Sequence, residues 1–140
     1  GALRRTARRL RADEVAFAAP WNWWSNLEGL GAELFDREGI THADAMETSM
    51  VYHVASDLVR EESLQAAEDG ASEGFGKDVH GANVGFDTID FSESGAAGEP
   101  TKASPEAGAR LFEKASSELD ALVDWLAGKS FEELLPKAHK

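Results

Sequence analysis

Residues 2–20 read ALRRTARRLRADEVAFAAP, and the division of this stretch decides the fold class. Over 2–13, Leu3, Ala7 and Leu10 fall near one face of a helix, and Arg4, Arg5, Arg8, Arg9 and Arg11 cover the rest. Val15-Ala16-Phe17-Ala18-Ala19 is then a short apolar run ended by Pro20; its length and its proline stop favour a buried strand over a helix. A helix followed by a short buried strand is half of a parallel α/β unit, so the expected class is α/β. In such sheets the ligand crevice lies beyond the carboxyl ends of the strands. Trp21-Asn22-Trp23-Trp24 follows at such an end. Trp21, Trp23 and Trp24 are therefore candidates for walling a flat small-molecule substrate by stacking, with core packing or a subunit contact as the alternative.

Outward from this stretch, a short helix is expected around Leu27 to Glu38, ended by Gly39. Thr41 and Asp44 match a capping box and predict a helix from about Ala43 to Ser56, with Met46, Met50, Val51 and Val54 as its buried stripe. Residues 61–103 are rich in Gly, Ser, Ala and acids and read as a long loop, with one short strand between Val84 and Phe91. Ser104-Pro105-Glu106 is a strong helix start: a serine cap, proline in the first turn and an acid at the positive end of the dipole. That helix is expected to run to Ala127 and stop at Gly128, with Leu111, Ala115, Leu119, Leu122 and Leu126 on its apolar face and Trp125 in the core. Phe131–Leu135 form a final turn, and Pro136 opens a basic tail that carries His139.

Composition bounds the chemistry. With 140 residues and 42% hydrophobic content the chain can build one domain with a real core. It has no cysteine, which excludes disulfides, thiolate metal sites and a cysteine nucleophile. Any metal must be held by His, Asp, Glu or water. Asp and Glu number 26 against 14 Lys and Arg, a formal charge of -12, which disfavours nucleic acid as a partner. Lysine is scarce, and an acidic, lysine-poor surface suits a salt-adapted protein in which screening weakens self-repulsion. No apolar stretch approaches the ~20 residues of a membrane span, and the arginine-rich start lacks the apolar run of a secretory signal. A cytoplasmic protein with no membrane partner is expected. The chain starts at Gly1 in mid-helix, which suggests that preceding sequence is missing.

Thr41-His42-Ala43-Asp44-Ala45-Met46-Glu47-Thr48-Ser49 holds the most reactive pair. A helix capped at Thr41 places His42 in its first turn and Glu47 five residues on, both able to reach a crevice at the helix N-terminus. A neutral imidazole can accept or relay a proton or bind a metal, and a carboxylate can bind a cation or orient water. The competing reading is structural: a histidine near a helix start caps it or lies on the surface, and a glutamate inside a helix is solvated. His53 reads as packed or exposed. Asp78 and His80 read as a solvated loop rather than a metal pair.

HADAMETSMVYHVASDLVR resembles the segment H-A-(G)-E-x-E-T-S of the creatininase (creatinine amidohydrolase) family, and ESGAAGEPTKASPEAGARLFEKASSEL is similar to that family's C-terminal pattern. Residues 2–20 resemble the helix and strand that follow the family's N-G-H-G-G-N motif. The resemblance implies an α/β/α layered fold with a mainly parallel sheet, present here as its C-terminal portion over 1–140. It implies hydrolysis of a C–N bond in a small cyclic amide or formamide, in one setting a formamide hydrolase of cofactor biosynthesis. One or two divalent metals, zinc or manganese, would polarise the carbonyl and deliver hydroxide. It makes His42 and Glu47 the catalytic residues, places Glu47 at the metal, and gives Thr48 and Ser49 packing or supporting roles. The family's E-x-H-G-x-H-L-P…D motif, which supplies most of its metal ligands, does not occur here, and Ala45 stands where the family often has an acid. The expected assembly is a homo-oligomer or association with an N-terminal half. The alternative function is a truncated or split non-catalytic subunit that needs that half for activity.

Overall fold

Ser104 starts the longest element: its hydroxyl accepts the Ala107 N–H, Pro105 occupies the first helical position, and a helix runs over Pro105–Ala127 to Gly128. The structure, a computed structural model, describes residues 1–36 and 41–135. In chain order the helices are α1 (Ala2–Ala12), α2 (Glu28–Phe35), α3 (Ala45–Ala55), α4 (Glu61–Asp69), α5 (Pro105–Ala127) and α6 (Phe131–Leu134). The strands β1 (Asp78–Val79) and β2 (Ala82–Asn83) form one antiparallel hairpin. The expectations that fall on Glu38, Gly39, Pro136 and His139 lie outside the described residues.

The core sits where α2, α3 and α5 meet. Leu27 and Leu111 are fully buried there, with Phe35, Ala45, Met46, Ala107 and Ala115 around them. The crossing of α3 and α5 is unusually close. A Cβ added at Gly108 of α5 would stand 1.9 Å from the Ser49 carbonyl oxygen and 3.0 Å from the His53 Cβ. Only a residue without a side chain lets the two backbones approach to this distance. Ser49, also fully buried, uses its hydroxyl to accept the Ser104 N–H at 3.0 Å. That bond satisfies one of the orphan donors at the start of α5 and ties it to α3.

Several expectations are corrected. Val15–Ala19 is not a strand: Val15 is 69% exposed, and the N–H groups of Val15 and Ala16 turn back to the Leu10 carbonyl. A run of five small and apolar residues with no neighbouring strand to pair with leaves α1 as an extended connection. No parallel sheet occurs among the described residues; the one parallel pairing is a single bridge between Ser72 and Ala97. The described residues thus show a two-stranded hairpin and none of the layered parallel sheet that the family resemblance implies. Residues 61–103 are not one long loop. They hold α4, the hairpin and two short 3-10 turns at Thr88–Asp90 and Pro100–Lys102. The strand falls at Ala82–Asn83 rather than within 84–91, because His80 and Gly81, both with positive φ, make the tight turn that fixes the hairpin register. On α3 the buried face is Ala45, Met46 and Ser49, whereas Val51 and Val54 face solvent. Trp125 is 54% exposed, with the Lys129 ammonium over its ring, and is not core. Leu119 is likewise exposed, whereas Leu122 and Leu126 of the expected apolar face are half-buried.

Candidate active site

Helix α3 begins at Ala45 because Asp44 caps it. One carboxylate oxygen of Asp44 accepts the N–H groups of Met46 at 2.9 Å and Glu47 at 3.2 Å. The other turns back and accepts the Thr41 N–H at 3.0 Å and the Thr41 hydroxyl at 3.2 Å. Thr41 therefore donates rather than caps, and the helix starts two residues later than the sequence suggests. The physical reason is capacity: a hydroxyl serves one end of the turn, whereas a carboxylate has four acceptor sites and a charge that the positive helix end stabilises. The turn this creates is tight enough to put Ala43 at a φ of 48°.

His42 consequently lies outside α3, two residues before the cap. Its backbone is fixed by a bridge to Ala97: its N–H donates to the Ala97 carbonyl at 3.3 Å, and its carbonyl accepts the Ala97 N–H at 2.7 Å. Glu47 is the third residue of α3. Its carboxylate folds back over the helix end and accepts the Ala43 N–H, one residue before the cap. These two anchors bring His42 Nδ1 to 3.6 Å from Glu47 Oε2, so the pair expected from the sequence does meet. The separation exceeds direct hydrogen-bond reach but lies well within electrostatic range. The His42 side chain is half exposed and Glu47 one-third exposed, so both are accessible to a bound molecule. The imidazole also meets the edge of Phe75, whose ring contacts Phe91.

The arrangement sets an imidazole, a group that can accept or relay a proton, beside a carboxylate at a helix N-terminus. It is less suited to holding a metal unaided. Catalytic zinc takes about three protein ligands, and His42 and Glu47 are two. Both oxygens of Asp44 are already occupied by the cap. Among the described residues no group of three or more His, Asp and Glu side chains could hold a metal ion. The described residues thus do not fit a complete metal centre.

The tryptophans do not join the pair. Trp21 and Trp23 pack against the core, and Trp24 meets Trp23 edge to face at 5.8 Å. They sit at no strand end among the described residues. A cleft of about 360 Å³ is lined by Glu68, Ala71, Ser72, Glu73, Gly98 and Glu99, and neither His42 nor Glu47 lines it. His53 lies on α3 against Phe112, and His80 occupies the hairpin turn, where Asp78 accepts the Gly81 N–H. Ala97 is the residue fixing this turn that sequence reasoning missed, and Asp44, read there as the partner of a Thr41 cap, is itself the cap. Asp44-Ala45-Met46-Glu47 is itself a D-x-x-E capping pattern, overlapping the Thr41 pattern, and was the available signal.

Residues 1–123 match a family model described as "Creatininase: Creatinine amidohydrolase". No curated protein and no solved structure matches the chain.

Proposed function

The chain belongs to the creatininase family, and on that premise we propose that it takes part in metal-dependent hydrolysis of the C–N bond of a small cyclic amide or formamide. The observation that carries this reading is the meeting of His42 and Glu47, 3.6 Å apart, at the capped end of α3 inside the matched span. In this reading the His42 imidazole holds and passes the proton that must reach the leaving nitrogen. Glu47 orients the imidazole and offsets its positive charge. The divalent ion, zinc or manganese, would supply carbonyl polarisation with Glu47 beside it, and its further ligands would come from elsewhere than the described residues.

The test compares Glu47→Gln and Glu47→Ala on a panel of creatinine, a cyclic imide and an N-aryl formamide, with zinc or manganese added. Gln can still accept the Ala43 N–H, so Glu47→Gln should retain wild-type stability yet lose about a hundredfold or more in rate, in line with loss of an acid–base group. A wild-type rate in Glu47→Gln, with damage confined to Glu47→Ala, would reduce Glu47 to a helix cap.

A second reading is favoured by the incomplete ligand set: a split subunit that becomes catalytic only with a second polypeptide. Stoichiometric metal in the purified chain, lost in Glu47→Ala, opposes it. Metal and activity that appear only on adding such a polypeptide support it.

A further inference from the structure

Arg4, Arg8 and Arg11 recur at helical spacing on α1 and together line a cleft of about 320 Å³. The rest of the lining is apolar: Ala7 on the helix, and the extended segment from Phe17 to Pro20. No acidic side chain lines the cleft. Among the described residues none of these three guanidinium groups takes part in an ion pair or side-chain hydrogen bond, whereas Arg9, off the cleft, pairs with Asp13 at 3.6 Å. Like charges four residues apart on a helix oppose helix formation, and α1 buries no residue that would offset this. The concentration of unpaired cations is the more unusual in a chain of net charge -12. Guanidinium forks bind carboxylate and phosphate oxygens in pairs. A cleft of this size with apolar walls and a few convergent polar groups has the character of a small-molecule site.

We propose that this cleft binds a small organic anion, a carboxylate or phosphate monoester carried on an apolar body, at a site separate from the His42–Glu47 pair. The oxyanion sits among Arg4, Arg8 and Arg11, and the body lies against Phe17 and Pro20.

The experiment is calorimetric titration of the full chain with phenyl phosphate, using inorganic phosphate and benzyl alcohol as comparison ligands. Two double variants carry the same change in charge on the same helix: Arg4→Gln/Arg8→Gln inside the cleft and Arg5→Gln/Arg9→Gln outside it. Gln is close to Arg in helix propensity, and circular dichroism verifies that α1 persists. The expected result is saturable, salt-sensitive binding of phenyl phosphate, weaker binding of inorganic phosphate and none of benzyl alcohol. Arg4→Gln/Arg8→Gln should weaken binding about tenfold or more, as loss of charge-assisted hydrogen bonds does, and Arg5→Gln/Arg9→Gln should leave it essentially unchanged. Equal losses in both variants would reveal a diffuse cationic field and overturn the proposal, as would absence of saturable binding. Self-association that Arg4→Gln/Arg8→Gln abolishes but phenyl phosphate does not reverse would also overturn it, assigning the arginines to acids of a second copy.

Discussion

Gly108→Ala is expected to destabilise the protein by about 3 kcal/mol or more, at the upper end of what overpacking costs. The added methyl would stand 1.9 Å from a carbonyl oxygen of the facing backbone, and no rotamer change relieves a backbone contact. The only relief is to separate α3 from α5. That separation stretches the bond from the Ser104 N–H to the Ser49 hydroxyl and loosens the packing of Leu111, which lies one turn along α5. The matched control is Gly29→Ala. Gly29 lies inside helix α2 with nothing within 4 Å of an added Cβ, so alanine there should be neutral or stabilise by about 0.5–1 kcal/mol through helix propensity. Urea denaturation of the two variants beside the wild type reads the difference. A Gly108→Ala midpoint equal to that of the wild type would show that the helices do not cross this closely.

Asp44→Ala is expected to cost about 3 kcal/mol, the sum of a lost helix cap and donors left without partners. Asp44 is 5% exposed and accepts from four groups, two at the start of α3 and two on Thr41. Its removal leaves the Met46 and Glu47 N–H groups facing a buried methyl, and it frees the Thr41–Ala43 turn that carries His42. Asp44→Asn, which keeps one acceptor oxygen, should fall between the alanine variant and the wild type. Thermal unfolding followed by circular dichroism gives the ranking. Because the turn fixes where His42 meets Glu47, any hydrolytic activity should fall in Asp44→Ala by more than its folded fraction accounts for. A fall that merely tracks the folded fraction would mean that Asp44 has no positioning role.

The parts of this molecule legible in its sequence are those set by local chemistry. The helix over Pro105–Ala127 has a serine cap, a proline at the first position and a glycine stop, each acting within a turn of the chain, and its ends are where those residues put them. The arginine-rich helix α1 and the final turn at α6 are legible for the same reason. What the sequence hides depends on distant partners. Val15–Ala19 has strand-like composition, but a strand needs a neighbour, and none is supplied among the described residues. Helix α4 has Arg60 at its start, which signals no cap, and a weak apolar stripe, so its acids and small residues resemble those of a loop. The stripe on α3 misleads because its tightest contact is made by a serine: Ser49, not Val51 or Val54, meets α5, and Gly108 makes that possible. At the candidate site, residue types and spacing identified His42 and Glu47, but the reason they meet was not legible. It rests on a backbone bridge to Ala97, 55 residues away in the chain by the difference of their numbers, and on which of two overlapping capping patterns prevails.

The most direct measurement is a double-mutant cycle on hydrolysis of the best amide substrate of the panel, with His42→Gln, Glu47→Gln and the combined variant assayed with added zinc or manganese. If the imidazole and carboxylate act as one unit, each single variant loses about a hundredfold or more and the combined variant is scarcely worse than either. Wild-type rates in the single variants, or losses that simply multiply in the double variant, would contradict a catalytic partnership between His42 and Glu47.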